Sequence, residues 1–164
     1  MTTVTKLISM CNTFNSDTVC AVSKFGKEWK MSDIYTQSFK VAKSLTFLGL
    51  IPRYESASMF CWNSPEWIVS TLGTIFAGGR ACSIHFNSTK KRCEYILNDS
   101  NSRVIFVDTK ERLNIALETK NIKAIVIVGD RDDLVMNKPE YVYTWKQFIE
   151  LGSRVRDEMV IERI

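Results

Sequence analysis

The chain has 164 residues, 45% of them hydrophobic and 24% charged, with a formal net charge of +4. That is enough sequence to bury the core of one domain, with the balance of an ordinary globular protein. The basic residues are spread along the chain, so nothing demands nucleic acid or a membrane surface, and the longest apolar run is far too short to span a bilayer.

Read from the start, Thr3 to Thr13 places Val4, Ile8 and Cys11 at helical spacing and predicts a short helix. Lys6 is followed by no long apolar core, so no signal peptide is expected. Val19 to Ser23 alternates, Phe25-Gly26 supplies a turn, and Trp29 falls on a return strand; together they predict a hairpin. Ser32 reads as the N-cap of the next helix, with Asp33 suiting its positive end. Tyr35, Phe39, Ala42, Leu45 and Leu48 line one face, and Gly49 is its left-handed stop.

Ser56 to Cys61 reads as a strand. Ser64 then caps a helix with Pro65 at its first position, where the missing N–H costs nothing. Ile68, Leu72, Ile75 and Phe76 form its expected buried stripe, and Gly78 ends it. Ala81 to Ile84 is the next strand. Ser88 or Thr89 opens a helix to about Asn98, with Cys93, Ile96 and Leu97 inward. Val104 to Val107 and Ala124 to Val128 are continuous apolar runs of the kind buried on both faces of a sheet. Between them, Lys110 to Thr119 is a helix with Leu113 and Leu117 inward. Gly129 to Asp133 is a polar turn and Tyr141 to Tyr143 an edge strand. Thr144 and Gln147 form a capping box for a helix ended by Gly152. From Ser56 to Val128, four strands alternate with three helices. This predicts an α/β fold: a mostly parallel sheet with flanking helices, preceded by a short hairpin.

The candidate chemical groups are few. Gly73, Gly78 and Gly79 make no dinucleotide fingerprint, and no Gly-Lys-Ser/Thr phosphate loop occurs, so these glycines read as structural. Val128-Gly129-Asp130 sits at a strand's C-terminal end, where α/β sheets bind ligands, but a Gly-Asp turn is also how any strand ends. His85 is the single histidine. It lies between a strand and a helix start, and no Ser, Cys or acidic partner can be assigned to it. Cys82 would point to the other face of a regular strand, which argues against a thiol–imidazole pair. Lys90-Lys91-Arg92 places three cations in a first helical turn, where the dipole disfavours them; a solvated surface is the simpler reading, an anion site the other. Asp130, Asp132 and Asp133 lack the spacing of a calcium loop. The cysteines Cys11, Cys20, Cys61, Cys82 and Cys93 form no CxxC pair, so free thiols in a reducing compartment are expected, and no zinc site.

Several segments, in order, resemble the start of the adenylate-forming (AMP-binding) long-chain acyl-CoA synthetases, most like the bubblegum type. They are Trp29-Lys30-Met31 leading to Tyr35; Ala42-Lys43-Ser44-Leu45 through Leu48-Gly49-Leu50; and Asn63-Ser64-Pro65-Glu66-Trp67. Gly73-Thr74-Ile75-Phe76-Ala77-Gly78-Gly79 and Cys93-Glu94-Tyr95-Ile96 follow. The last are Val104-Ile105-Phe106-Val107-Asp108, Lys123-Ala124-Ile125-Val126-Ile127, and Tyr143-Thr144-Trp145 with Phe148-Ile149-Glu150-Leu151-Gly152.

The resemblance implies that residues 1–164 are a single α/β domain, the incomplete N-terminal part of an AMP-binding synthetase domain without its C-terminal lid. It implies ATP, Mg2+ and coenzyme A as cofactors of the full-length family and a long-chain fatty acid as substrate. It implies a cytoplasmic protein, membrane-peripheral as a full-length enzyme. The family's phosphate-binding loop, its Thr-Glu pair, its ribose-holding Asp and its C-terminal lysine match no position here. No catalytic, cofactor-binding or metal residue is therefore carried over, and productive cofactor binding by this chain is not expected. Ile84-His85-Phe86-Asn87 and Ser88-Thr89-Lys90-Lys91 replace the family's Ile-Tyr-Thr-Thr and Ser-Pro-Glu, which predicts a reshaped pocket there. Three readings stay open: part of a ligase, a non-catalytic module that binds a relative or other partner, or an unrelated α/β binding domain. In the second, a sheet face left uncovered would be apolar and would drive self-association.

Overall fold

The computed structural model describes residues 17–23, 26–50, 52–129, 131–135 and 138–163. The helix expected over Thr3 to Thr13 lies outside them, as do Phe25 and Asp130. Strands β1 (Val19–Val22) and β2 (Glu28–Lys30) form the expected antiparallel hairpin, with Gly26 at φ +80° in its turn. Trp29 is buried and anchors the hairpin to the core, with the Lys27 ammonium 5.0 Å over its ring.

Helix α1 (Met31–Phe47) starts earlier than Ser32 predicted: its N-cap is Lys30, because the helix follows β2 without a linking loop. Asp33 does more than complement the dipole, since its Oδ2 accepts from the Lys30 backbone N–H at 2.9 Å. The deep face of α1 is Ile34, Ser38, Val41, Ala42 and Leu45, while Tyr35 and Phe39 are half-buried beside it. Gly49 ends the turn at φ +71°, as expected of a left-handed stop.

After β3 (Ser56–Phe60), helix α2 (Pro65–Phe76) begins as its sequence predicted: the Ser64 hydroxyl accepts from Trp67 N–H at 3.2 Å and Pro65 occupies the first position. Its buried face is not the expected one. Val69, Ser70, Gly73, Thr74 and Phe76 are buried, whereas Ile68, Leu72 and Ile75 are half-buried. The cause is the crossing with α1. A Cβ on Gly73 would lie 2.5 Å from Val41 Cβ and 2.7 Å from the Ser38 carbonyl, so only small residues can face α1 there. Large side chains are pushed to the flanks of the contact.

The chain continues through β4 (Arg80–Ser83), α3 (Lys90–Asp99), β5 (Ser102–Val107), α4 (Lys110–Glu118) and β6 (Ala124–Ile127). A 3-10 turn (Asp132–Val135) leads to β7 (Val142–Thr144) and α5 (Trp145–Leu151), whose capping box between Thr144 and Gln147 is formed. As expected, α5 ends at Leu151 with Gly152 as its C-cap. Gly152 has φ −66° and opens a 3-10 turn, and its lack of a side chain admits α1: a Cβ would lie 2.8 Å from Ser44 Oγ. Helix α6 (Asp157–Ile161), unforeseen, then docks on α1 through Val160 and a Lys43–Asp157 ion pair of 2.7 Å.

The sheet runs β4-β3-β5-β6-β7, and every neighbouring pair is parallel. One face carries Ala57, Met59, Val104, Phe106 and Val126 under α1, α2, α5 and α6. The other carries Phe60, Ile105, Val107, Ile125 and Ile127 under α3 and α4. Strands β3, β5 and β6 lie between two helical layers that the crossovers themselves supply, whereas edge strand β4 keeps exposed positions. At the amino end of the sheet, buried Glu55 receives Lys123 Nζ at 3.0 Å on both carboxylate oxygens, with Arg103 Nε at 3.4 Å.

Candidate functional site

In a parallel sheet whose first crossover goes to one side and the next to the other, the loops at the carboxyl ends of the two central strands part and leave a crevice. Here the order β4-β3-β5 places that point between β3 and β5. The loops after β3, β4 and β5 bring Trp62, Phe86 and Asp108 to it.

Arg112, in the first turn of α4, organises these loops. Its Nη1 donates to Asp108 Oδ1, and its Nη2 donates to the Phe86 carbonyl at 3.4 Å. The other Asp108 oxygen accepts from the Trp62 backbone N–H at 2.9 Å. The guanidinium carbon lies 5.5 Å from the Phe60 ring centroid and 5.7 Å from that of Trp62. Above it the Trp62 and Phe86 rings stack at 3.8 Å, and His85 stacks on Phe86 at 4.4 Å. Thr109 caps α4 by accepting from Arg112 N–H, which fixes the start of the helix and hence the reach of Arg112. Arg112 is only 7% exposed although the outer face of Trp62 is open to solvent. The arrangement can offer a ligand an aromatic surface, but the guanidinium's charge is already matched by Asp108.

The residues weighed from sequence fall elsewhere or play smaller parts. His85 is exposed and its Nδ1 accepts from Asn87 N–H at 3.3 Å; no nucleophile is paired with it. Lys90 is held by Glu118, with Glu94 at 3.9 Å, and this contact raises the Lys90 ammonium pKa above its ordinary value. Lys91 and Arg92 are exposed. Asp133 pairs with Arg131 at 3.1 Å, and the guanidinium holds its carboxyl below the usual range. Gly129 turns the chain after β6 at φ +83°. Arg112 and Asp108 went unnoticed as a pair, though an acid ending a strand and an arginine four residues on, across a helix cap, is a signal that local spacing contains.

Among the described cysteines, all free, Cys20 is exposed, Cys82 half-buried and Cys61 and Cys93 buried. Cys61 is buried beside Asp108, and burial first, then that carboxylate, push its pKa far up; burial also raises that of Cys93. Only the thiolate attacks a disulfide reagent. With an aromatic disulfide at mildly alkaline pH, exposed Cys20 is expected to react well before Cys61 and Cys93, which should react only on unfolding. Mass mapping of the labelled peptides checks this, and early labelling of Cys61 would contradict the packing around it.

The fold is one shared with adenylate-forming CoA ligases. It matches coronafacic acid ligase from Pectobacterium brasiliense with a TM-score of 0.75 at 14% identity, over 90% of this chain and 29% of that one. It matches a benzoate CoA ligase from Burkholderia xenovorans with a TM-score of 0.72 at 15% identity, over 94% and 29%. The sequence is more specific. Residues 11–158 match the family described as AMP-binding enzyme, and the chain belongs to that family. It is 33% identical over 151 residues to the long-chain-fatty-acid–CoA ligase ACSBG2 of Xenopus laevis, covering 88% of this chain and 20% of that protein. It is 37% identical over 131 residues to ACSBG1 of Homo sapiens, covering 77% and 18%. The chain thus spans about a fifth of the length of the curated relatives it matches. Among the described residues, no helix is long and apolar enough to cross a membrane.

Proposed function

We propose that these 164 residues are the first α/β unit of a long-chain fatty acid–CoA ligase and that, by themselves, they do not form acyl-CoA. The relatives' names supply the overall reaction, joining a long-chain fatty acid to coenzyme A. The route is what the resemblance to adenylate-forming enzymes implies: the fatty-acid carboxylate displaces pyrophosphate from ATP to give an acyl-adenylate, and the coenzyme A thiol then displaces AMP to give the thioester. A carboxylate is a poor electrophile until its oxygen becomes part of a leaving group, and the triphosphate's charge must be met by Mg2+ and hydrogen-bond donors. The single observation that carries the first half is identity of 33–38% to such ligases over most of this chain.

Support for the second half comes from the donor set. A Mg2+–ATP site needs free carboxylates, cations and a glycine-rich loop. Asp108 is committed to Arg112 and the Trp62 amide, Lys90 to Glu118, and Glu55 to Lys123. Among the described residues no three His, Cys, Asp or Glu side chains group as metal ligands. The described residues do not fit Mg2+–ATP. In the whole ligase this unit would be scaffold, with the carboxyl edge of its sheet turned to the substrates; the enzyme would be cytoplasmic and membrane-peripheral.

The purified 164-residue chain, given ATP, Mg2+, coenzyme A and a long-chain fatty acid, is expected to release no AMP above a blank without fatty acid. A full-length relative assayed in parallel shows that the conditions support turnover. Fatty-acid-dependent AMP release by the chain alone would refute the reading.

A further inference from the structure

The crevice at the switch point, where sheets of this order take ligands, is filled by the protein's own side chains. We propose that Asp108 and Arg112 are a latch that holds the Trp62 and Phe86 rings stacked as a closed cover over this crevice, so that breaking the pair opens it. Two polar contacts in the cluster join different loops, with the Asp108–Arg112 pair between them. Asp108 follows β5 and holds the amide of Trp62, which follows β3. Arg112 holds Asp108 and the carbonyl of Phe86, which follows β4. The ring stack, at 3.8 Å and 25° between planes, and the Arg112 guanidinium 5.7 Å from the Trp62 centroid also tie these loops. The stack alone is worth about 1 kcal/mol, too little to keep an exposed tryptophan in place. The charge-assisted bonds beneath it, centred on Arg112 and Asp108 side chains 9% and 16% exposed, are worth more and set the position.

Trp62 is 52% exposed and so open to a neutral quencher on one face only. Subtracting the fluorescence of Trp62→Phe from that of the wild-type chain isolates its signal from those of Trp29, Trp67 and Trp145. In Arg112→Gln, acrylamide quenching of that signal is expected to rise at least twofold. Hydrogen exchange at the Trp62 amide is expected to rise tenfold or more, while the amides of Ile105 and Val126 keep their protection. Arg112→Lys, which restores the charge and one donor, should recover part of both. Unchanged Trp62 in a folded Arg112→Gln protein would overturn the latch. Loss of protection spread evenly over β5 and β6 would do so too, because it would mean general destabilisation. If Arg112→Gln does not fold, Phe86→Leu serves: it leaves the ion pair and the Phe86 carbonyl in place, and quenching at Trp62 must rise twofold there, or the stacked cover does not exist.

Discussion

Gly73→Ala is expected to destabilise the protein by about 2 kcal/mol, although the same change usually strengthens a helix. Two effects compete. Alanine gains about 1 kcal/mol over glycine in a helix interior. Against this stands overpacking, which costs about 1–3 kcal/mol and occasionally more. Here the added Cβ would sit 2.5 Å from Val41 Cβ and Cγ1 and 2.7 Å from the Ser38 carbonyl. The first two atoms are a stiff β-branched side chain and the third is backbone, so none can swing away, and the two helices must separate. Gly73→Val should cost about 4 kcal/mol by the same argument. Urea denaturation midpoints check the order wild type, Ala, Val. A Gly73→Ala midpoint equal to wild type or higher would show that α1 and α2 can move apart freely. Because the clash is partly with Val41, the pair Val41→Ala and Gly73→Ala should be less harmful together than their sum.

Removing the Glu55 carboxylate is expected to cost a similar amount for an electrostatic reason. Glu55 is 4% exposed, at the entrance to β3, with Lys123 on both oxygens at 3.0 Å and Arg103 within 3.4 Å. Lys123 also donates to the Gly49 carbonyl at 3.3 Å, so the cluster ties the end of α1 to three strands. Breaking a fully buried pair costs about 3–5 kcal/mol, because the surviving charge is stranded. An exposed pair is worth at most about 1. The acid is buried here, but side chains of Lys123 and Arg103 keep 39% and 28% exposure and can take up water. Glu55→Ala should therefore fall between the limits, at about 2 kcal/mol. The double variant with Lys123→Ala should lose less than the sum of the single changes. A loss below about 0.5 kcal/mol for Glu55→Ala would place this cluster with ordinary surface pairs.

Much of the architecture was legible in the residues. Continuous apolar runs at Val104 to Val107 and Ala124 to Val128 marked doubly covered strands, and Ser64-Pro65 and Thr144 with Gln147 marked helix starts that the structure forms as read. What escaped was everything decided by a second element. The orientation of α2 depends on how near α1 comes, so a reading that seeks large side chains chose Ile68 and Leu72 and missed Gly73. Gly152 is the helix stop it was read as, but its close approach to α1 was not legible. Ser32 read as the cap, but β2 runs directly into the helix and leaves the N-cap position to Lys30. The cluster at the carboxyl edge is non-local in the same way. Trp62, Phe86 and Arg112 come from loops and a helix that only the strand order brings together, and each looks ordinary in its own neighbourhood.

Near its carboxyl end the chain returns to the foot of the sheet. Arg163 Nη1 donates to the Leu50 carbonyl at 2.7 Å, and a Cβ on Gly78 would lie 3.0 Å from the Arg163 carbonyl. Leu50 precedes β3 and Gly78 precedes β4, so Arg163 sits at the pole opposite to Trp62 and Phe86. Strand β3, five residues and about 17 Å long, runs between the two poles. A dye, tag or fused module attached after Arg163 would therefore emerge away from the aromatic crevice. It would report the loosening of α6, not events at that crevice, and it would leave the crevice unobstructed for measurement.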